Sequence, residues 1–251
     1  MKAVSDALRS LIAELSNLES LSPFALGGGT NLAIRYNHRE SVDIDLFSAT
    51  IVGYEGLHQI AEQCREKFAG QVLYLTIEDP GYGEQFCFIK ALIKGGETAI
   101  KVEVLQNIQM LYPAEPFAGL RLIPMHDMGL LKLDSLAARH ARKDVYDLDT
   151  ITDSISLTEL MQSLKKKKAM FLGEQYRSLF DLDNMKSAAE DPMLLLEYDN
   201  VVYHEHAKRP SHSSDILKIN PEGKPWQVSK IHWRRKVMEY CRTIGFQPHR
   251  P

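Results

Sequence analysis

The chain has few cysteines and no long uninterrupted run of hydrophobic residues. Its three cysteines, Cys64, Cys87 and Cys241, are odd in number and lack the spacing of zinc ligands, so we expect reduced thiols and no zinc site. No segment approaches the roughly 18 consecutive apolar residues that a membrane-spanning helix needs. No signal peptide is recognisable, because charged residues interrupt the first apolar positions. The sequence therefore predicts a soluble, cytoplasmic protein that does not enter a membrane.

Net charge is also low, but it is unevenly distributed along the chain. The 251 residues carry a formal charge of −3, whereas residues 201–251 hold ten Lys and Arg against four Asp and Glu, a balance of +6 that leaves −9 for residues 1–200. A polyanionic partner is therefore favoured near the C-terminal end. A solvated basic face would produce the same composition.

A glycine turn is prominent near the N-terminal end of the chain. Gly27, Gly28 and Gly29 follow a short apolar strand and precede Thr30, where an amphipathic helix is predicted to begin. Backbone N–H groups exposed at a helix N-terminus form a natural cradle for phosphate. A strand-to-helix turn with Thr30 as the N-cap is the simpler explanation. The turn alone does not decide between the two.

Two aspartates in an apolar strand begin twelve residues beyond this turn. Alternate side chains of a strand share a face, so Asp43 and Asp45 are predicted to project together, while Val42, Ile44 and Leu46 face the core. Like charges so close raise each other's pKa unless a cation lies between them. Carboxylate oxygens at this spacing suit Mg²⁺ or Mn²⁺. A metal beside a phosphate cradle suggests a nucleotide, although an isolated Asp-x-Asp also occurs by chance and in glycosyltransferases.

The order and spacing of the two features resemble the nucleotidyltransferase superfamily related to DNA polymerase beta. The fuller string, residues 28–33 and 38–47, is more narrowly similar to the AbiEii/AbiGii abortive-infection toxins. Members of that family are the nucleotidyltransferase toxins of bacterial toxin–antitoxin pairs. Relatives often carry Gly-Ser where this chain has Gly29-Thr30, a replacement that keeps the hydroxyl.

The apolar periodicity outlines the rest of the fold. Strands and helices are mixed up to about residue 120, and helices dominate afterwards, including one predicted over residues 171–180. Together with the resemblance, this pattern predicts an α+β protein. A polymerase-beta-like nucleotidyltransferase domain, a mixed sheet with flanking helices, is expected over residues 1–120, followed by a mainly helical domain over residues 121–251. The active site is expected between them.

A third acidic residue lies at the centre of a later strand. Ile100, Val102 and Val104 alternate with Lys101 and Glu103, so one face of this strand is apolar and the other is charged. An exposed strand face with a charge pair would show the same pattern. Polymerase-beta-like enzymes place a third carboxylate on a strand beside the Asp-x-Asp strand, and the resemblance implies this role for Glu103.

A second group of charged residues lies in the predicted helical domain. Lys132 and Arg139 are seven residues apart on one helix face, and Lys143 and Asp144 are followed a turn later by Asp147. The series is similar to the characteristic C-terminal motif of the AbiEii family. A structural ion-pair network between helices would also place these residue types at these spacings.

The resemblance implies a role for each of these residues. Asp43, Asp45 and Glu103 would hold Mg²⁺ or Mn²⁺, and Lys132 and Asp144 would complete the catalytic set. The residues expected to contact the nucleoside triphosphate are Gly28, Gly29, Thr30, Arg39, Lys132 and Asp147. Two roles stay open for Asp144, which can orient a neighbouring cation or act as the base for the acceptor hydroxyl.

The implied activity is transfer of a nucleoside monophosphate from a nucleoside triphosphate to an acceptor hydroxyl. The acceptor is expected to be RNA, in particular the 3′ end of tRNA, and the protein is expected to be a toxin with a cognate antitoxin encoded beside it. A protein-modifying nucleotidyltransferase would instead use a Ser, Thr or Tyr hydroxyl. The basic segments available for RNA are residues 165–168 and the helix face with Lys230, Arg234, Arg235 and Lys236, and either could be a solvated surface.

Overall fold

A computed structural model describes residues 2–183, 185–199, 210 and 216–246 of the chain. Much of the basic C-terminal stretch, residues 200–209, 211–215 and 247–251, lies outside the described residues. The described part contains seven strands: β1 (Ala25–Leu26), β2 (Ile44–Phe47), β3 (Val72–Glu78), β4 (Phe88–Gly95), β5 (Thr98–Leu105), β6 (Glu115–Phe117) and β7 (Leu120–Leu122). They form one mixed sheet in the order β3-β4-β5-β2-β1-β7-β6, in which β2 runs parallel to β5 and β1 parallel to β7.

Helices cover the sheet and form the C-terminal half. Those of the described chain are α1 (Asp6–Ser16), α2 (Gly28–Tyr36), α3 (Gly53–Lys67), α4 (Met125–Arg139), α5 (Arg142–Ile151), α6 (Leu157–Met170) and α7 (Trp226–Thr243). The predicted α+β fold with a helical C-terminal part is therefore confirmed. Strand β7 straddles the predicted boundary after residue 120, because Leu122 pairs with Leu26 in the sheet. Among these helices, none is both long and apolar enough to cross a membrane.

Two apolar cores result from the periodicity of the sequence. One lies between the sheet and helices α1 and α3, whose Leu8 and Leu57 are completely buried. The other lies among α4, α5, α6 and α7 around Trp233, whose indole N–H donates to the carbonyl of Leu195 at 2.7 Å. Cys64, Cys87 and Cys241 are buried free thiols within these layers, as predicted. Polar residues lie on the other face of β2 and β5, away from the core formed with α1 and α3.

Two local predictions are wrong. Val42 is 51% exposed rather than in the core, because β2 begins only at Ile44. The helix predicted over residues 171–180 is replaced by two one-turn 3₁₀ helices, Glu174–Tyr176 and Leu179–Asp181. Ser178 and Asp181 form a capping box that starts a new turn where the predicted helix would continue.

A late segment of the chain returns to the N-terminal half. Ile219 pairs with Arg39 in an isolated antiparallel bridge, and the backbone N–H of Asn220 donates to the carbonyl of His38 at 3.1 Å. Tyr146 of α5 donates its hydroxyl to the carbonyl of Lys224 at 2.9 Å. Residues 216–225 therefore join the loop after α2 to α5, the two regions that carry the charged motifs.

Candidate active site

The glycine turn packs tightly against charged side chains. Gly28 has a φ of +61°, and a Cβ there would lie 1.9 Å from Oδ2 of Asp45. A Cβ on Gly29 would lie 2.5 Å from a guanidinium nitrogen of Arg39. Since only glycine lacks this atom, the sequence Gly28-Gly29 allows the start of α2 to approach an aspartate and an arginine at once. The N-terminus of α2 thus lies directly beside the carboxylate of Asp45.

Thr30 is buried and bonded to the aspartate strand. Its hydroxyl lies within hydrogen-bonding distance of the carbonyl of Asp43 and of the hydroxyl of Ser41, and the residue is 1% exposed. The N-cap of α2 is Gly27, so the prediction that Thr30 is the N-cap is wrong. The side chain of Thr30 therefore contacts the backbone at Asp43.

Asp45 lies in β2 and Asp43 directly precedes its first residue, Ile44, so of the two aspartates predicted in this strand only Asp45 belongs to it. Both are half-buried, and the intervening Ile44 is completely buried on the other face. Burial raises the pKa of Asp45, the charge of Lys101 opposes this shift, and the charge of Asp43 adds to it. The charges of Lys132 and Arg139 also oppose the shift, and the pKa of Asp45 is nevertheless raised. Two neighbouring carboxylates are a condition that favours binding of a cation.

Glu103 lies beside Asp45 on the neighbouring strand. The two residues are register partners in the β2–β5 pair, and Glu103 is only 3% exposed. Its carboxylate accepts a hydrogen bond from Nζ of Lys101 at 3.0 Å. Burial lowers the pKa of Lys101, but the charges of Asp45, Glu103 and Asp43 outweigh burial and raise it. Lys101 thus supplies positive charge to the acids, a role that the alternating pattern of β5 did not reveal.

The donor chemistry fits a divalent cation at two of the three predicted ligands. Carboxylate oxygens suit Mg²⁺ or Mn²⁺, which commonly complete their coordination with water and substrate phosphate. Asp43 and Asp45 offer such oxygens two residues apart. Nowhere in residues 2–183, 185–199 or 216–246 does a group of three or more His, Cys, Asp or Glu side chains come together as potential ligands. Glu103, held by Lys101, stays a predicted third ligand.

The second charged motif forms a buried ion-pair network. Asp147 accepts hydrogen bonds from Nε and Nη2 of Arg39 at 2.6 and 2.7 Å and pairs with Nζ of Lys132 at 2.7 Å. Asp144 accepts from Nε and Nη2 of Arg139, both at 2.6 Å, and from Nζ of Lys132 at 2.8 Å. Both aspartates are completely buried. Two arginine forks and one lysine thus neutralise two carboxylates.

The neighbouring cations hold the pKa of both aspartates well below the usual range. Burial alone would raise the pKa of Asp144 and of Asp147, but the adjacent arginines and Lys132 outweigh it. His38 adds a contact of 2.8 Å from Nε2 to Oδ1 of Asp147, and burial lowers its own pKa. The histidine is therefore neutral at pH 7 and serves as a hydrogen-bond partner of the network.

The two charged regions lie within electrostatic range of each other. The charge of Asp45 contributes to raising the pKa of Arg139, against the effect of burial. The side chain of Arg139 is 22% exposed, compared with 4% for Arg39 and 6% for Lys132. Arg39 and Lys132, predicted nucleotide contacts, are therefore less accessible than the guanidinium of Arg139. Arg139 was part of the motif but not of the predicted site.

Asn31 is a further residue that the motif contains but whose role the sequence did not indicate. Its side-chain amide donates to the carbonyls of Leu26 and Ile123 at 2.8 and 2.9 Å, and its oxygen accepts from Nε of Arg35 at 2.9 Å. The residue is completely buried. It ties α2 to the ends of β1 and β7, which holds the glycine turn in place.

The predicted basic face of α7 is partly neutralised within the protein. Lys236 pairs with Asp149 and Asp153 at 2.8 and 3.0 Å, and Lys230 pairs with Asp199 at 3.1 Å. Arg234 and Arg235 are exposed. The face therefore presents less positive charge than its sequence indicates.

Two solved structures share this fold. MenT4, a nucleotidyltransferase toxin from Mycobacterium tuberculosis H37Rv, matches with a TM-score of 0.58 at 14% identity, covering 94% of this chain and 84% of that protein. A crystal structure described as a candidate nucleotidyltransferase from H. pylori matches with a TM-score of 0.50 at 12% identity, covering 97% and 96%. The sheet, the helical C-terminal part and their order along the chain define a nucleotidyltransferase fold.

The family follows from the sequence match. The family described as nucleotidyl transferase AbiEii toxin, type IV toxin–antitoxin system, matches residues 9–235. The chain belongs to the AbiEii nucleotidyltransferase toxin family. An uncharacterised protein of Aquifex aeolicus (strain VF5) is 24% identical over 242 residues, which are 96% of this chain and 98% of that protein. The family predicted from the glycine turn and the aspartates is thus confirmed.

Proposed function

We propose that this protein transfers a nucleoside monophosphate from a nucleoside triphosphate to a hydroxyl of RNA, in particular the 3′ end of tRNA. The observation that carries the proposal is the Asp43 and Asp45 pair beside the N-terminus of α2, where a Cβ on Gly28 would lie 1.9 Å from Oδ2 of Asp45. Membership of the AbiEii family supports nucleotidyl transfer by a toxin. The type IV toxin–antitoxin description of the family supports a cognate antitoxin, which we propose is encoded beside this protein.

Asp43 and Asp45 would hold Mg²⁺ or Mn²⁺, with Glu103 as a third ligand once Lys101 releases it. A metal held there would offset charge on the triphosphate and supply Lewis-acid stabilisation to an in-line displacement. In this displacement the acceptor oxygen bonds to the α-phosphorus, and the bond from the α-phosphorus to the pyrophosphate oxygen breaks. Pyrophosphate leaves, and the hydroxyl proton passes to solvent.

The protein's own groups bind and orient the triphosphate. The N–H groups at the start of α2 offer donors to phosphate oxygens, and Gly28 and Gly29 allow the close approach. Arg139 presents the more accessible cation, and Lys132 is nearly buried. Asp144 is a positioning residue in this proposal, because a carboxylate that accepts hydrogen bonds from two cations, with a strongly lowered pKa, is a weak base.

The direct test is incubation of the protein with each nucleoside triphosphate labelled at the α-phosphate, Mg²⁺, and either total cell RNA or total cell protein. We expect the label to enter RNA with the wild type and not with Asp45→Asn at matched concentration. Label in a protein band and none in RNA would replace this proposal by the protein-modifying alternative. Equal labelling by the variant would contradict the assignment of the site.

A further inference from the structure

The sheet face that carries the catalytic acids continues outward across two more strands. Asp45 is the register partner of Glu103, which pairs with Lys90 of β4, which in turn pairs with Thr76 of β3. Register partners in adjacent strands project on the same side of a sheet, and strands are about 4.8 Å apart. Lys90 therefore lies on the same face as Asp45, two strands or about 10 Å away.

The next row of this face is also continuous. Lys101 pairs with Leu92 of β4, and Leu92 pairs with Tyr74 of β3. The ring of Tyr74 is 49% exposed, and its hydroxyl donates to Glu78 at 3.2 Å. One row further, Lys94 is exposed. We call Tyr74, Lys90, Leu92 and Lys94 the β4 shelf.

The lysines of the β4 shelf are not neutralised by neighbouring acids. Within the described chain neither Lys90 nor Lys94 forms an ion pair, although Glu103 lies across the strand from Lys90. On α7, by contrast, Lys230 and Lys236 are paired with aspartates. The shelf thus offers two lysines that form no ion pair within the described chain and an accessible tyrosine, and it begins at Lys90, across the strand from Glu103 and about 10 Å from Asp45.

We infer that the single-stranded end of the RNA acceptor docks on the β4 shelf. The inference rests on the proposed function and names the surface that binds the acceptor, which the proposed function does not specify. Lys90 and Lys94 contact backbone phosphates, and the ring of Tyr74 offers a stacking surface for a base, the combination that single-strand binding surfaces use. The strand then runs along the sheet face towards Asp45, where its terminal hydroxyl reacts. Charge complementarity and continuity with the acids favour this occupant over a folded protein.

The test compares the Lys90→Glu/Lys94→Glu protein with Arg234→Glu/Arg235→Glu, which makes the same change of charge on α7. Unfractionated tRNA is the probe, and both binding and label transfer are measured across a salt series. For single strands the log–log salt slope is about 0.7 per phosphate contacted, so loss of two contacts reduces it by about 1.4. We expect this reduction and at least about tenfold weaker binding for the shelf variant only. Nucleoside triphosphate affinity stays at the wild-type value in both.

The outcomes separate the inference from the proposed function. If the wild type labels tRNA and the shelf variant binds and labels it equally well, the shelf is not the acceptor surface, and the proposed function stands. If only the α7 variant loses binding, the acceptor lies on α7 and the inference is overturned. If the wild type labels no RNA, the proposed function itself fails. The Lys90→Gln/Lys94→Gln protein removes the same two charges without adding acids. If it binds tRNA more weakly at an unchanged melting temperature, the loss of binding is not caused by unfolding.

Discussion

The protein contains two pairs of neighbouring aspartates, and the two pairs differ in how their negative charge is balanced. Asp144 and Asp147 are completely buried, and each is bonded to an arginine fork and to Lys132. Asp43 and Asp45 are half-buried, and the charges of Lys101, Lys132 and Arg139 act on Asp45. The first pair is neutralised by the fold, whereas we propose that the second pair binds a cation from outside. On this proposal, the first pair maintains the site and the second performs its chemistry.

The largest expected effect is a loss of activity when Asp43 or Asp45, which we call the open pair, is changed. Asp43→Asn or Asp45→Asn removes a carboxylate that the fold does not need, so we expect a loss of at least about 100-fold in label transfer, similar to the loss of one key electrostatic group in other enzymes. The melting temperature without metal should stay equal or rise, because repulsion is relieved. A variant with full transfer and a lower melting temperature would show that the pair is structural.

The largest expected effect on stability comes from a substitution in Asp144 and Asp147, which we call the closed pair. Asp147→Asn leaves Arg39 and Lys132 buried without their full counter-charge, and breaking such a pair costs about 3–5 kcal/mol of unfolding free energy. Asp153→Asn is the matched control, since Asp153 also pairs with two lysines but is half exposed, and it should cost about 0–1 kcal/mol. Urea denaturation of both variants measures the difference. Equal losses would mean that burial of the network is not what makes it matter.

A smaller effect is expected at the contact between the turn and the open pair. Gly28→Ala and Gly70→Ala both place a side chain at a positive φ, +61° and +75°, which costs about 1–2 kcal/mol. Only the first places a Cβ against the carboxylate of Asp45, whereas nothing lies within 4 Å of the second. We expect both to lower the melting temperature and only Gly28→Ala to reduce label transfer. Equal activity in the two variants would argue against a functional approach of α2 to Asp45.

The smallest effect is the pH dependence of the network. The pKa values of Asp144 and Asp147 are lowered from 3.8 and that of His38 from 6.5, so the unfolded chain binds more protons in acid. The stability supplied by His38 is present above pH 6.5 and is lost as pH falls, and that of the aspartates is lost below about pH 4. Denaturation at pH 7.5 and 5.5 should show a loss of unfolding free energy at the lower pH, and His38→Gln should remove that loss. An equal slope in the variant would contradict this role.

Local patterns were enough to predict the strand that carries Asp45 and the glycine turn before α2. Both depend on strand alternation and on the absence of a Cβ, which are properties of adjacent residues. The network could not be predicted in this way, because Arg39 and Asp147 are 108 positions apart and meet only after the helices pack on the sheet. The spacing of Lys132 and Asp144 was equally compatible with a surface ion pair, and the structure shows that the pair is buried.

The most direct test of the central claim is a thermal melt with and without Mg²⁺ and a nucleoside triphosphate. The account predicts that ligand raises the melting temperature of the wild type but not that of the Asp43→Asn/Asp45→Asn protein, which melts at or above the wild type when no ligand is present. It also predicts that Asp147→Asn melts far lower and still responds to ligand if it folds. The same ligand-induced rise in the wild type and in the Asp43→Asn/Asp45→Asn protein would contradict the claim that the open pair binds the cation.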